Sequence, residues 1–159
     1  MKYIVGTAPV VGSELPGMKE FAKQVCAHSD KSLWNNGTYV MRDVRNKPGV
    51  VSNHARSLAL DASYRFSKIH GRKNGREVSL PYIYKLLEHA DTLGIMLIID
   101  YFLQRSWKCD RRTWIKIGVE VGDWYHIELS PNFANDPIKV KASWATVFGA
   151  SPITAPPLV

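Results

Sequence analysis

The chain has little cysteine and no long apolar segment. Its two cysteines, Cys26 and Cys109, are far apart and form no CxxC pair, which excludes a disulfide framework and suits synthesis in a reducing cytoplasm. The longest apolar run, residues 94–99, is far shorter than the roughly 20 residues that span a bilayer, so we expect no transmembrane segment. The N-terminal stretch has one lysine and is broken by Pro9. We interpret it as a first strand or arm of the domain and not as a signal peptide.

The composition is that of a basic, folded domain. The 159 residues are 45% hydrophobic, enough for one domain with a sizeable core. Lys and Arg number 21 against 14 Asp and Glu, a net charge of +7, which favours a polyanionic partner such as nucleic acid or a phosphate-rich bacterial envelope. The densest basic segment, residues 68–76, is typical of an exposed, Gly-containing loop. We find no Arg- and Lys-lined helix, zinc knuckle or stacked aromatic motif, so we do not expect nucleic acid as the partner.

Hydrophobic spacing predicts helices over about residues 14–28 and 79–93, the second with Pro81 in its first turn and Gly94 at its end. Strands are predicted over residues 38–44, 57–66, 95–102, 114–118 and 124–129. Trp144 is expected to dock a short segment back onto the domain. We therefore place the main domain at 1–135, and a docking segment with a Pro-rich, linker-like tail at 136–159.

The first motif with chemical meaning is the segment from Ser52 to Asp61. Here His54 precedes Asp61 by seven positions, and Asp61 lies on the small, polar face of a predicted strand. Zinc accepts mixed imidazole and carboxylate ligands. This spacing alone is weakly specific, because most such pairs bind nothing.

The second motif centres on His126. Asp123 stands three residues before it and Glu128 two residues after it. A catalytic zinc site needs a third protein ligand and a carboxylate near the bound water. Taken alone, the same residues also describe a surface strand with a solvated histidine and two salt-bridging acids.

Together the two motifs resemble the pattern SxHxxGxAxD followed by (D/E)xxH. This pattern belongs to the zinc D,D-carboxypeptidases, D-Ala-D-Ala dipeptidases and phage L-alanyl-D-glutamate endolysins. The resemblance covers roughly residues 35 to 130. The layout of motifs and helices predicts an α+β domain with a small central, mainly antiparallel sheet, the zinc site on one face and helices on the other. The resemblance makes this a hedgehog- or D,D-peptidase-like fold.

The resemblance also implies roles for individual residues. The zinc ligands would be His54, Asp61 and His126, and the general base would be Asp123. An arginine upstream of the first histidine would contact the substrate and the oxyanion; Arg42 is preferred and Arg45 is the alternative. Substrate binding would involve Arg45 and Ser52, and Glu128 would be a fallback base or a partner that orients the ring of His126.

Two residues depart from the family pattern. The usual glycine of the first motif is Ser57, which matters if that position needs a positive φ. The base is Asp123 and not glutamate, as in phage members of the family. A straight strand would place Asp123 and His126 on opposite faces, so we expect Asp123 in the loop or at a bulge before the strand.

We therefore expect a monomeric zinc peptidase of phage endolysin type, made in the host cytoplasm and acting on stem peptides of the bacterial cell wall. The bond that it cuts, whether L-Ala–D-Glu, D-Ala–D-Ala or a cross-bridge, stays open. One alternative is a basic nucleic-acid-binding protein or nuclease. Another, favoured by the departure at Ser57, is an inactive zinc-binding domain that recognises the wall.

Overall fold

The computed structural model describes residues 1–65 and 71–149, and side chains are not described for residues 71–74. The helices are α1 (Pro16–Ala27), α2 (Gly71–Glu88), α3 (Ala90–Leu93), α4 (Pro131–Ala134) and α5 (Pro137–Phe148), with a short 3-10 turn at Val5–Thr7. The strands are β1 (Trp34–Asn35), β2 (Asp43–Val44), β3 (Lys47–Val51), β4 (Ala59–Ser63), β5 (Ile95–Asp100), β6 (Arg105–Lys108), β7 (Trp114–Lys116) and β8 (Trp124–Leu129). No described helix is both long and apolar enough to cross a membrane.

The main sheet has six strands in the order β1-β4-β8-β5-β6-β7, and its strands pair antiparallel. This confirms the α+β class and the antiparallel sheet. The prediction of a strand over residues 38–44 was wrong, because only Asp43–Val44 is a strand, in a separate hairpin with β3. The chain just before this predicted strand pairs with β4. The Asn36 N–H donates to the carbonyl of Asp61 at 2.8 Å, and the Asp61 N–H donates to the carbonyl of Gly37 at 2.9 Å.

The two faces of the sheet differ in polarity. Along β4 and β8, Leu60, Tyr125 and Ile127 are buried in the hydrophobic core, against which the helices pack. Asp61 and His126 alternate with them and therefore lie on the opposite face. The sequence predicted this separation of helices from the polar face.

The second predicted helix begins eight residues earlier than expected. It starts at Gly71 and contains Pro81 in its interior, so residues 71–76 are helical and the prediction of a loop there was wrong. Arg76 explains part of this extension, because its guanidinium donates to both carboxylate oxygens of Asp100, at 3.0 and 2.8 Å. Residues 68–70 lie outside the described residues. The single helix predicted up to residue 93 is divided at His89 into α2 and α3, and α3 ends as predicted at Gly94, whose φ of 73° is left-handed.

The C-terminal helix α5 belongs to the same core. It packs against α1, and Trp144 is 1% exposed and stacks on Phe148 with ring centroids 5.0 Å apart. The docking predicted for Trp144 is thus confirmed. The Pro-rich tail from residue 150 lies outside the described residues and stays a prediction.

Candidate metal centre

Two histidines and an aspartate converge on the polar face of the sheet. Their ligand atoms all lie within 4.8 Å of one another. The carboxylate of Asp61 has one oxygen 2.9 Å from Nδ1 of His126 and the other 3.3 Å from Nε2 of His54. Asp61 and His126 are direct cross-strand partners in β4 and β8, and His54 comes from the loop before β4. The structure therefore brings together all three predicted ligands.

The loop that carries His54 is a tight, buried turn. The backbone N–H of Ser57 donates to the carbonyl of His54 at 3.0 Å, and the Ser52 hydroxyl accepts the N–H of His54 at 3.3 Å. Ser57 has a φ of 51° and is completely buried, so this position does need the left-handed conformation that glycine adopts easily. Its hydroxyl accepts the backbone N–H of Leu15 at 2.8 Å, which offsets part of the strain.

Each histidine is held by its outer ring nitrogen, the one that does not face Asp61. Nδ1 of His54 lies 3.4 Å from the carbonyl of Thr38, and Nε2 of His126 lies 3.2 Å from a carboxylate oxygen of Glu128. Histidines that ligate metals usually donate their outer N–H to a carbonyl or carboxylate in this way. The inner nitrogens, Nε2 of His54 and Nδ1 of His126, both face the carboxylate of Asp61.

In the triad and Glu128, hydrogen bonds between acids and histidines outweigh the effect of burial on their pKa values. Burial acts to raise the pKa of Asp61, but hydrogen bonds from His126 and His54 outweigh it and hold that pKa well below its usual value. Burial acts to lower the pKa of His126, but hydrogen bonds to Asp61 and Glu128 prevail and raise it to about 10. The pKa of Glu128 is lowered despite its burial, chiefly by its contact with His126. In the metal-free protein, His126 is thus a cation between two carboxylates.

Asp123, the predicted base, is not one of the three clustered side chains. Among the described residues, His54, Asp61 and His126 form the one group of three potential metal ligands whose atoms lie within 4.8 Å of one another. The Asp123 carboxylate is 1% exposed and accepts the Nε–H of Arg65 at 2.8 and 3.0 Å. Its backbone carbonyl accepts the N–H of Tyr64 at 3.2 Å, which fixes the residue beside the end of β4. Asp123 lies in the loop directly before β8, as predicted, and its carboxylate there forms an ion pair with Arg65.

Glu128, in contrast, lies on the face of the triad. It alternates with the core residues of β8 and contacts Nε2 of His126, on the side of the ring away from Asp61. This position matches the expected orienting partner. A base near the inner nitrogens would have to lie on the other side of the ring.

The two candidate arginines lie at the edge of the site. Arg42 donates to the carbonyl of Asp43 at 3.2 Å, and the 69% exposed Arg45 pairs with Glu120 at 3.4 Å. Within residues 1–65 and 71–149, no hydrogen bond joins either guanidinium to the triad. Both nevertheless act on Tyr101: burial raises the pKa of its phenol, Asp61 raises it further, and Arg45 and Arg42 lower it.

Sequence reasoning missed Tyr101. Its ring stacks on Trp124 with centroids 4.6 Å apart, and Trp124 shares the strand face of His126. Gly122 makes room for this pair, because a Cβ there would lie 2.2 Å from the Trp124 ring. The signal was hidden because Tyr101 follows β5, whose place beside β8 is known only once the sheet is assembled.

A polar cleft opens beside the triad. It has a volume of about 490 Å³ and is lined by Glu14 and residues 35–39. These residues include Thr38, whose carbonyl contacts His54, and Gly37, whose carbonyl pairs with Asp61. The segment that lines the cleft therefore also contacts two residues of the triad.

The donor set fits zinc. Two imidazoles and one carboxylate are common ligands of catalytic zinc, which keeps a fourth position for water or substrate. The pre-oriented outer nitrogens add to this fit. Comparison with protein-family models, with curated proteins and with solved structures finds no significant match.

Proposed function

We propose that the protein is a zinc-dependent peptidase that hydrolyses a peptide bond in bacterial peptidoglycan, as phage endolysins do. The observation that carries the metal is the arrangement of the two histidines. Each presents one ring nitrogen to Asp61 and has the other on an acceptor. The two-motif resemblance supplies the substrate class.

In this proposal His54, Asp61 and His126 would hold the metal. A zinc ion there would supply Lewis-acid chemistry, which can lower the pKa of a water to about 7. The surrounding chain binds and orients the substrate. Tyr101 and Trp124 form an aromatic wall on the face of the triad, and the cleft lined by residues 35–39 includes the side-chain amides of Asn35 and Asn36, which can bind a peptide.

Arg42 and Arg45 supply positive charge at the rim of the site. A guanidinium there can hold a substrate carboxylate or the developing oxyanion. Arg45 pairs with an equally exposed partner, Glu120, and exposed pairs are weak. An incoming anionic substrate can therefore recruit either arginine at little cost.

Proton transfer is the role that the resemblance gives to Asp123. Because Arg65 holds this carboxylate, Asp123 can act as the base only after it exchanges that partner. Among the described acids, Glu128 shares the face of the triad, but its two oxygens are engaged by Tyr3, Asn53 and His126.

The position of Arg76 weakens the nucleic-acid alternative. The basic segment that suggested it contributes this side chain to a buried ion pair with Asp100. The wall-recognition alternative keeps one supporting observation, the engagement of both acids that flank His126.

The test is release of peptide fragments from purified peptidoglycan, followed by mass spectrometry. We expect activity with zinc, loss after EDTA treatment and recovery on adding zinc. His126→Ala should be inactive, whereas His89→Ala, which changes a histidine outside the triad, should keep activity. Hydrolysis by His126→Ala would rule the proposal out. Zinc binding without hydrolysis in the wild type would favour the wall-recognition domain.

A further inference from the structure

We propose that Tyr3, in the N-terminal arm, and Asn53 are positioning residues of the metal centre. They fix Glu128, which in turn fixes the ring of His126 so that Nδ1 faces the metal. This inference rests on the proposed function, because it assigns a role towards the metal that the triad would hold.

Glu128 is a nearly buried carboxylate with three partners. The Tyr3 hydroxyl donates to one oxygen at 2.6 Å, and the Asn53 amide donates to the other at 2.6 Å. The second oxygen also lies 3.2 Å from Nε2 of His126. Glu128 is only 4% exposed, so these protein groups replace the water that would otherwise solvate its charge. Because partners engage both oxygens, the carboxylate is fixed in orientation.

The N-terminal arm, residues 1–15, reaches the centre at two places. Near its start, Tyr3 donates to Glu128 and carries the Lys108 ammonium over its ring at 4.4 Å. Further along, the N–H of Val11 donates to Ala55 at 3.2 Å, beside the residue that presents an imidazole to Asp61. One segment thus supports the turn that carries one histidine and the carboxylate behind the other.

Loss of the Tyr3 hydroxyl would act on the metal through two contacts. One oxygen of Glu128 would lose its donor, and the carboxylate would be held only at its other oxygen, by Asn53 and His126. Its orientation towards Nε2 of His126 would therefore be less well fixed. Removing the outer partner of a ligating histidine typically weakens metal affinity by about 10- to 100-fold. A residue one contact further out should have a smaller effect of the same kind.

The experiment compares Tyr3→Phe and Glu128→Gln with the wild type, all as the full chain. The zinc dissociation constant is measured by competition with a chelator, and the absorption spectrum is recorded with cobalt in place of zinc. We expect about 10- to 100-fold weaker binding for Glu128→Gln, about 3- to 10-fold weaker binding for Tyr3→Phe, and an altered cobalt spectrum for both.

The matched control is Tyr82→Phe. Its hydroxyl also makes one hydrogen bond, at 3.1 Å to the carbonyl of Val25 on the helical side of the sheet. This variant should keep the wild-type zinc affinity and cobalt spectrum. An equal effect in Tyr82→Phe would mean that loss of a buried hydroxyl weakens the fold in general, and would overturn the positioning role.

Tyr3→Phe with the affinity and spectrum of the wild type would overturn this inference alone. A wild-type chain that binds no zinc would overturn the proposed function as well. If Tyr3→Phe does not fold, NMR of the zinc-bound wild type decides the question. The Nε2 proton of His126 should then be protected from exchange by its bond to Glu128, and a rapidly exchanging proton would contradict the proposal.

Discussion

Two aspartates of the main sheet, Asp61 and Asp100, show how one geometry gives two kinds of site. Each carboxylate is held by two nitrogen-bearing side chains. Asp100 receives hydrogen bonds from Arg76, at 2.8 and 3.0 Å, and from Arg105 at 3.2 Å. Asp61 faces two imidazoles instead. A guanidinium keeps its proton at any accessible pH, whereas an imidazole can release its proton and donate a lone pair to a metal.

Solvent access separates the two networks further. The Asp100 side chain is 1% exposed, against 21% for Asp61. A metal ion and a substrate must reach the ligands from solvent, and the partial exposure of Asp61 is consistent with such access. We therefore interpret Asp100 as the centre of a closed structural ion pair and Asp61 as the centre of an accessible metal site.

Replacing Asp61 should have the largest effect on metal binding. Asp61→Asn removes the ligand that both histidines face, so zinc affinity should fall by more than the roughly 100-fold typical of a change in an outer partner. Peptidoglycan hydrolysis should be lost with it. Chelator competition measures the affinity, and a variant with unchanged zinc binding would break the distinction between the two aspartates.

The same substitution at the other centre should affect stability instead. Asp100→Asn leaves the buried Arg76 without its carboxylate, and breaking a buried ion pair costs about 3 kcal/mol or more. Urea unfolding should show this loss, while zinc affinity per folded molecule stays at the wild-type value. Weakened zinc binding without a loss of stability would reverse the roles assigned to the two networks.

The pH dependence should distinguish the imidazole network. The pKa of His126 in the metal-free protein is about 10, above the usual value of about 6.5. Its stabilising contribution is therefore fully present below pH 6.5 and is lost as the pH rises towards 10. Since zinc must displace this proton, its affinity should rise roughly tenfold per pH unit between about pH 7 and 8. A flat affinity profile over this range would contradict the assignment.

A third aspartate, Asp123, tests whether pairing with arginine always means a structural role. Loss of a general base lowers kcat by about 10²- to 10⁴-fold. Because Arg65 holds Asp123, we expect Asp123→Asn to lower kcat by less than about tenfold and to destabilise the fold by about 1–2 kcal/mol. A loss of kcat beyond 100-fold, with normal zinc affinity and stability, would show that Asp123 exchanges partners and acts as the base.

The smallest effect concerns the turn that brings His54 to Asp61. Ser57→Gly relieves a left-handed serine but loses the hydrogen bond to Leu15, two opposing terms of about 1 kcal/mol each, so stability should change little. Ser57→Ala keeps the strain and loses the bond, and should be less stable by about 1–2 kcal/mol. Urea unfolding of both variants provides the comparison. Equal stability of Ser57→Ala and wild type would remove the role given to the hydroxyl.

Some elements around the polar face of the sheet could be predicted from local sequence. The limits of β8 follow from alternation over Trp124–Leu129, and the end of the second helical segment follows from Gly94. Both features depend on neighbouring residues, which a sequence displays directly. The ligand set, in contrast, was implied by the resemblance of two motifs to a known family, the first spanning the loop of His54 and β4 and the second lying at β8.

The features that could not be predicted depend on partners distant in the chain. Glu128 meets Tyr3 across 125 positions, and Asp123 meets Arg65 across 58. Nothing in the local pattern around Asp123 shows that the guanidinium of Arg65 will hold its carboxylate. The ion pair of Arg76, in the early part of α2, with Asp100 likewise exists only in the assembled fold.

X-ray absorption at the zinc edge of the wild-type protein tests the central claim most directly. We predict one zinc per chain, with two imidazole nitrogens at about 2.0–2.1 Å, a carboxylate oxygen and a further light-atom ligand. The spectrum of His126→Ala should lose one imidazole or the metal altogether. A wild-type protein that takes up no zinc, or binds it without imidazole ligands, would contradict the account.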